Sequence, residues 1–409
     1  MVDAGGDFMI ALVNKITIKK ICDNIGVESR YIAEKVGCNP PSKADEWLDV
    51  NSVVRPTFNQ AKSLAKHLKI PFAGLYMNPE DVPIKENPKV TSRRTLTSEN
   101  AESESAVNIA IADLIRTRDF YLSSMSDLNE EVVRFDVKIR DDENPKNFAK
   151  KIREVFQIDL SEQFKISSKR QFYLYIRERL EKHGVFIHGF SGVEVEVLRG
   201  VAIYSSDMPI IGINNDDSYP AKTFTMIHEL VHLLKRHSSL CNIFYNDFTK
   251  QKEEVFCNAV AGEVLVPREA LIIKLQKYVE KHNLSVAEIE DLANEFNISK
   301  EVIVRRLLDL NQINKNAYDS YIDEFRRNYE ADSIRRKTER EIAKSEGRRS
   351  SIPRDMVRES IDKNSRSLCL ALFSGYAESL FSKQDVCSYL GIKNKHADKF
   401  IVEVSKWNN

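Results

Sequence analysis

Apolar residues recur at helical spacing over residues 18–77, near the start of the chain. In "ICDNIGVESRYIAEKVG", Ile21 and Ile25 share one helical face, while Gly26 and Gly37 stand where turns or helix ends are expected. The later stretch "FNQAKSLAKHLKIPFAGLYM" has the same periodicity. This part of the chain is therefore predicted to form a small bundle that contains a helix-turn-helix.

The predicted bundle has poor chemistry for reading DNA. A recognition helix is expected after "IAEKVG", but the sequence continues "CNPPSKADEW", and Pro40 and Pro41 bring no backbone donor to the positions that meet base edges. Residues 1–88 carry 11 Lys or Arg and 11 Asp or Glu, so they lack a basic footprint for phosphate binding. We expect a degenerate, XRE-like helix-turn-helix domain at 1–88 that acts as a scaffold or docks a partner, with DNA contact as the alternative.

The middle of the chain changes from a polar linker to helices and then to strands. Residues 89–105 begin inside the stretch "PEDVPIKENPKVTSRRTLTSEN", which is rich in proline and polar residues, and are predicted to be a linker. Helical periodicity returns in "AVNIAIADLIRTRDFYL" and in "RQFYLYIRERLEKHG". The next stretches are short, rich in β-branched residues and bounded by Gly, Pro or Asn: "GVFIHGF", "VEVEVLRGVAIYS" and "PIIGIN". They predict a small sheet.

Composition and charge narrow the class of protein. The 61 basic residues balance the 61 acidic ones, so no global field directs the chain to nucleic acid or to an anionic membrane. The early apolar run "FMIALV" is too short to span a membrane, and the six cysteines form no CxxC pair. We therefore expect a cytoplasmic protein with reduced thiols and no membrane partner.

The stretch "TFTMIHELVHLLKRH", at 223–237, holds three of the chain's eight histidines. Residues four apart on a helix share a face, so His228 and His232 can direct a ring nitrogen at one metal ion. Glu229 lies one position further round, where its carboxylate can reach a water on that ion without being a ligand, as a general base must. The alternative is a buried core helix with two hydrogen-bonded histidines, because an HExxH match also arises by chance.

A third ligand distinguishes these two interpretations. In "EEVFCNAVAGEVLVP", Glu254 stands 22 residues after His232 on a second predicted helix, and Asn258 shares its face and could hydrogen-bond a metal-bound imidazole. Two His and one Glu leave a fourth position open, which is the pattern of catalytic rather than structural zinc. His237 does not fit the longer metzincin pattern and is expected to be solvated or structural. The sequence thus predicts a catalytic Zn2+ site with Glu229 as its base.

The two helices resemble segments of the ImmA/IrrE family of zinc metallopeptidases. "FTMIHELVHLL" is similar to the family's fTxxHExxH helix, and "EEVFCNAVAGEVLVP" is similar to its ExxANxFAxxLLxP helix. Cys257 replaces the usual alanine and Val260 the usual phenylalanine, changes that we expect to affect packing rather than ligands. "PTFNQAKSLAKHLKIPFAGLYM" resembles the family's amino-terminal helix-turn-helix part. The resemblance therefore covers more than the metal-binding motifs.

It also continues beyond the second zinc helix. "SVAEIEDLANEFNISKEVIVRRLLDL", at 285–310, resembles the helix-turn-helix that follows in this family, and its own pattern predicts two helices with Ser299 capping the second. We expect this pair to shape the peptidase cleft, with DNA reading as the alternative. Residues 314–409 are predicted to form a carboxy-terminal helical region, in which the charge-dense segment 314–366 is expected to be a long solvated helix. The tail at 368–404 resembles the carboxy-terminal helical part of longer members of the family.

The expected fold class is α+β: a mainly helical, zincin-like metallopeptidase domain with a small sheet at 106–313, flanked by helical domains. The resemblance implies a zinc endopeptidase that cleaves a protein, in particular a helix-turn-helix repressor, in a response to stress, DNA damage or phage, with nucleic acid as signal or target. Two alternatives stay open, namely a non-catalytic zinc-containing regulator that binds a repressor or DNA, and the toxin component of a two-gene module. An intact Glu229 argues against purely structural zinc, because a structural site needs no base.

Overall fold

A computed structural model describes residues 9–82, 87, 101–139, 144–236, 239–241, 248–278, 284–345 and 354–408. Its α-helices are α1 (Lys15–Ile25), α2 (Ser29–Val36), α3 (Lys43–Leu48), α4 (Phe58–His67), α5 (Ala101–Asp127), α6 (Pro145–Val155), α7 (Leu160–Lys165), α8 (Lys169–Glu181), α9 (Tyr219–Leu234), α10 (Phe248–Leu265), α11 (Arg268–Leu275), α12 (Val286–Glu295), α13 (Lys300–Asp309), α14 (Lys315–Ser345), α15 (Met356–Lys363), α16 (Arg366–Ala377), α17 (Lys383–Leu390) and α18 (Ala397–Ser405). The strands are β1 (Phe186–Phe190), β2 (Gly200–Ile203), β3 (Ile210–Asn214) and β4 (Ser239–Cys241).

Helices α1 to α4 form a bundle with its own core. The side chain of Asn14 caps α1 by accepting a hydrogen bond from a backbone N–H of the first turn. Gly26 and Gly37 end α1 and α2 with φ values of 81° and 74°, which confirms the predicted helix ends. Trp47 of α3 is buried in the core of the bundle. α3, at the position of the expected recognition helix, has six residues and starts only after Pro41.

The four strands form one mixed sheet in the order β1-β3-β2-β4. β1 runs parallel to β3, while β2 runs antiparallel to both β3 and β4. The strands predicted in "GVFIHGF" and "PIIGIN" are confirmed as β1 and β3. β4 was not predicted from the sequence. The fold is therefore α+β and mainly helical with a small sheet, as expected.

One predicted strand is only half correct. In "VEVEVLRGVAIYS" the strand β2 starts at Gly200, and residues 193–199 form a turn instead. The side chain of Asn214 donates hydrogen bonds to the carbonyl oxygens of Val193 and Leu198 at 2.9 and 2.8 Å. The strand prediction for residues 193–199 is wrong because a buried amide from β3, rather than a neighbouring strand, satisfies these carbonyl groups.

Helices cover both faces of the sheet. Side chains alternate along a strand, so Ile187 of β1 packs on the side of α8 and α9, whereas Phe186 and Phe190 pack on the side of α5. The carboxy-terminal helices α15 to α18 share this second core with α5. They complete the layer that covers one face of the sheet.

Helix α5 contributes to two cores. It begins at Ala101, inside the range predicted as a linker, and its Ile109 and Ala112 belong to the core of the amino-terminal bundle. Its opposite side packs under the sheet. The remainder of the predicted linker, 89–100, lies outside the described residues, as does His237. The predicted domain boundaries stay predictions.

The helices of the second half follow the predicted pattern. α12 starts with a capping box on Ser285, and the Ser299 side chain caps α13 as expected. α14 covers the charge-dense segment as one helix of 31 residues. None of the helices that the structure describes combines the length and the apolar composition that a membrane span requires.

Candidate metal centre

Helix α9 carries the HExxH motif through the centre of the domain. Ser218 caps its start, and Pro220 occupies its first turn, where a missing N–H costs nothing. The helix packs against β2, β3, α8 and α10. Ile227 and Val231 are fully buried, so apolar side chains hold this helix in the core. The two histidines of the motif therefore sit on a rigid element.

His228, His232 and Glu254 converge on one point, although Glu254 comes from a different helix, α10. The Nε2 atoms of the two histidines lie 3.2 Å apart. Glu254 Oε2 lies 3.1 Å from His228 Nε2, and Glu254 Oε1 lies 3.2 Å from His232 Nε2. One ligand atom from each of the three residues falls within 4.8 Å of the others. Among the described residues, this is the group of His, Cys, Asp and Glu side chains that can hold a metal ion.

The spacing of these atoms fits a tetrahedral ion. Ligand atoms about 2.0–2.1 Å from zinc at tetrahedral angles are about 3.3 Å from one another. The separation of 3.2 Å between the two histidine nitrogens agrees with one edge of such a tetrahedron, and each nitrogen lies 3.1 or 3.2 Å from a different oxygen of the Glu254 carboxylate. Two nitrogens and one carboxylate leave the fourth vertex for water or substrate, which is the donor set of a catalytic zinc site.

A second set of side chains orients the histidines from behind. Asn258 Oδ1 lies 3.1 Å from His228 Nδ1, so it can accept the Nδ1–H and leave the Nε2 lone pair directed at the centre. Behind His232, Nδ1 lies 3.6 Å from Glu253 Oε1 and 3.9 Å from Cys257 Sγ. Glu253 and Cys257 were not anticipated in this role, because Cys257 was interpreted as a packing change. Glu253 and Cys257 each stand one position before Glu254 and Asn258, and their contact with His232 forms only because α10 packs against α9.

The electrostatic surroundings favour a negative charge on Glu254 and a positive charge at His232. Burial raises the pKa of Glu254, but hydrogen bonds with His228 and His232 more than offset this effect and hold its pKa at about 2. Burial alone would lower the pKa of His232, yet its bonds to Cys257, Glu253 and Glu254 raise it well above the usual value. An environment that favours a proton on an imidazole also favours a metal cation in its place.

Glu229 directly follows His228 in the sequence but does not belong to the group of three candidate ligands. Its side chain is fully buried on α9 and faces β2. A Cβ atom built on Gly200 of β2 would lie 3.3 Å from Glu229 Oε1 and 2.3 Å from the Thr225 methyl carbon. The close approach of α9 to β2 therefore requires glycine at position 200. The role of Gly200 was not predicted from the sequence, although a glycine within a strand pattern indicates a close approach of the backbone.

Comparison with known proteins supports the motif-based interpretation. Residues 181–308, just under a third of the 409-residue chain, match the family Peptidase_M78, described as the IrrE N-terminal-like domain. The match runs from the end of α8 to α13 and so contains the sheet, the helices α9 and α10 of the candidate metal centre, and the α12–α13 pair. No curated protein matches the chain. The resemblance to the ImmA/IrrE family is thus confirmed for this segment, and the chain carries a peptidase domain.

Proposed function

We propose that this chain, whose residues 181–308 form an IrrE N-terminal-like peptidase domain, is a zinc-dependent endopeptidase. In this proposal His228, His232 and Glu254 hold the metal, Glu229 is the general base and Asn258 orients His228. The observation that carries it is that one ligand atom from each of these three residues lies within 4.8 Å of the others. In structural zinc sites the protein supplies four ligands, whereas the described residues supply three at this centre.

The proposed chemistry assigns one task to each side chain. Zinc, when bound, supplies a Lewis acid that polarises the scissile carbonyl and lowers the pKa of water. The Glu229 carboxylate accepts the proton that the attacking water loses, and it then delivers a proton to the departing amine. Full burial of Glu229 keeps bulk water away from the carboxylate and strengthens its electrostatic interactions. Asn258 and Glu253 fix the two imidazole rings so that no reorientation is needed during the reaction.

The proposed substrate is a cytoplasmic protein, in particular a helix-turn-helix repressor cleaved in a stress, DNA-damage or phage response. This part rests on the family resemblance. The neutral charge of residues 1–88 and the six-residue α3 favour a docking or scaffold role for the amino-terminal bundle over DNA reading. A non-catalytic regulator would bind the repressor without cutting it, and a toxin would use the same protease chemistry on another protein.

Elemental analysis tests the metal site without reference to any substrate. The purified full chain should contain about one zinc per molecule, and a His228→Ala/Glu254→Ala variant should contain almost none. A His183→Ala variant, which removes a histidine outside the centre, is the matched control. Equal zinc in the double variant and in the wild-type protein would exclude this site.

A further inference from the structure

Exposed apolar side chains cluster on the surface of the amino-terminal bundle. Of the nineteen large apolar side chains that are exposed in the described residues, six fall within residues 9–53. We call these six the edge patch, and their exposed fractions run from 49% to 91%: Met9, Ile10, Leu12, Ile16, Val50 and Val53. Single exposed apolar residues are ordinary on a soluble protein, whereas a contiguous group of this size marks an interaction site.

Hydrogen bonds bring the two halves of the edge patch side by side. The backbone N–H of Ala11 donates to the carbonyl oxygen of Pro56 at 2.9 Å. At the start of α1, Lys15 Nζ donates to the carbonyl oxygens of Asp49 and Ser52 at 3.1 and 2.7 Å. The two segments that carry the edge patch are therefore neighbours in space, although α2 and α3 separate them in the sequence.

Side chains alternate between core and solvent around the antiparallel bridge of Ile10 with Thr57. Ala11 and Val13 are buried in the core of the bundle, whereas Ile10 and Leu12 are 62% and 76% exposed. In an antiparallel pair with one solvated face, the outward positions are normally polar. Two large aliphatic side chains at these positions indicate that another surface covers this face.

The backbone of the same segment has an unpaired edge. On its inner side, the carbonyl oxygen of Met9 accepts from the N–H of Phe58 at 2.7 Å. The N–H and C=O groups of Ile10 and Leu12 point to the other side, because backbone groups alternate along an extended chain. No hydrogen bond within the described part of the chain uses these groups. An exposed edge of this kind can pair with another strand.

We propose that the edge patch is the interface of a symmetric homodimer, in which residues 9–13 of two copies pair as antiparallel strands. A two-fold axis brings the same surface of both copies together, so that surface must complement itself. The edge patch does so, because an unpaired strand edge with apolar side chains around it requires the same features from its partner. At 49% to 91% exposure, its six side chains present on the order of 700 Å2, close to the roughly 800 Å2 that each partner contributes to a standard interface.

The charges of the two segments favour a second copy over a partner of opposite charge. Residues 9–16 and 49–57 hold three charged side chains, and each is bound within its own bundle. Lys15 donates to backbone carbonyl groups, Arg55 Nη1 donates to the carbonyl oxygen of Val13 at 2.7 Å, and Asp49 Oδ1 accepts from the N–H of Asn51 at 2.9 Å. The apolar character that remains is typical of homodimer interfaces. This proposal does not depend on the proposed peptidase activity.

The oligomeric state of the full chain tests the proposal. Sedimentation equilibrium over about 1–100 µM should show a monomer–dimer equilibrium. Val53→Ser and Leu12→Ser should each weaken the dimer by about tenfold or more, because both copies lose the burial of a large apolar side chain. Val402→Ser, which removes an exposed valine from α18, is the matched control and should leave the dissociation constant unchanged.

Amide hydrogen exchange tests the strand pairing itself. The N–H groups of Ile10 and Leu12 should exchange more slowly as the protein concentration rises, whereas the N–H of Ala11, which is bonded within its own chain, should not change. A chain that stays monomeric at every concentration overturns the proposal and leaves the edge patch to a strand of a different protein. A dimer that Val53→Ser and Val402→Ser affect equally, or that gives Ile10 and Leu12 no protection, also overturns it.

Discussion

Gly200→Ala probes the closest approach between the sheet and the metal-binding helix. The added Cβ would lie 2.3 Å from the methyl carbon of Thr225, where carbon atoms normally stay about 3.5–4.0 Å apart. Either α9 or β2 must shift by about 1 Å or more, and such overpacking costs about 1–3 kcal/mol. The same Cβ is 3.3 Å from Glu229 Oε1, so the shift also displaces the proposed base. We expect a less stable protein that keeps its zinc and cleaves more slowly.

Urea unfolding of the metal-loaded protein measures the change in the free energy of unfolding, and chelator competition measures the zinc affinity. Gly74→Ala is the matched control, because a Cβ at Gly74 meets no atom within 4 Å. Thr225→Ser removes the methyl group that clashes, so it should recover part of the loss when combined with Gly200→Ala. The steric reasoning fails if Gly200→Ala is as stable as Gly74→Ala, or if Thr225→Ser recovers nothing.

Three further predictions concern the neighbours of the site and the attachment of the carboxy-terminal helices. Asn258→Ala removes the acceptor 3.1 Å from His228 and should weaken zinc binding by about 10–100-fold in chelator competition; unchanged affinity would contradict its orienting role. Arg177→Met breaks three hydrogen bonds of 3.0 Å to carbonyl groups around the end of α15 and should cost about 3–5 kcal/mol in urea unfolding, whereas the exposed Lys182→Met should cost little. In the metal-free protein the pKa of Glu254 is about 2, below its ordinary value of 4.5. The ionised carboxylate therefore contributes to the free energy of unfolding above pH 4.5, and this contribution is lost as the pH falls towards 2. The stability difference between wild type and Glu254→Gln should therefore shrink on acidification, and a constant difference would refute this.

Short sequence patterns predicted those helices and helix ends that depend on residues adjacent in the chain. The helical period around His228 and the spacing to Glu254 predicted α9 and α10, and the caps at Gly26 and Ser299 are confirmed because capping depends on a few adjacent residues. The alternation of apolar and polar residues at 193–199 led to a wrong strand prediction. The carbonyl groups of this segment are bound by Asn214, which is distant in sequence. Which carbonyl groups pair within a sheet is a tertiary property.

The contacts that complete the site depend on docking rather than on pattern. Glu253 and Cys257 reach His232 only because α10 packs against α9. From the sequence of α10 alone, Cys257 was expected to affect packing only. Gly200 lies opposite Glu229 because of the way β2 packs on α9. Sequence patterns thus predicted the proposed ligands, whereas the residues that support them could be identified only from the fold.

Glu229→Gln separates catalysis from metal binding. The amide is nearly isosteric with the carboxylate and is not expected to be a ligand, so the variant should keep wild-type zinc content and stability. It cannot accept the proton of the attacking water, and a general base typically contributes ~10²–10⁴-fold to the rate. Wild type and variant, with zinc measured in parallel, are incubated with a candidate substrate of the proposed class, a helix-turn-helix repressor, and cleavage is followed on gels. We predict cleavage by the wild-type protein and none detectable by the zinc-loaded variant, whereas equal cleavage by both would show that Glu229 is not the base.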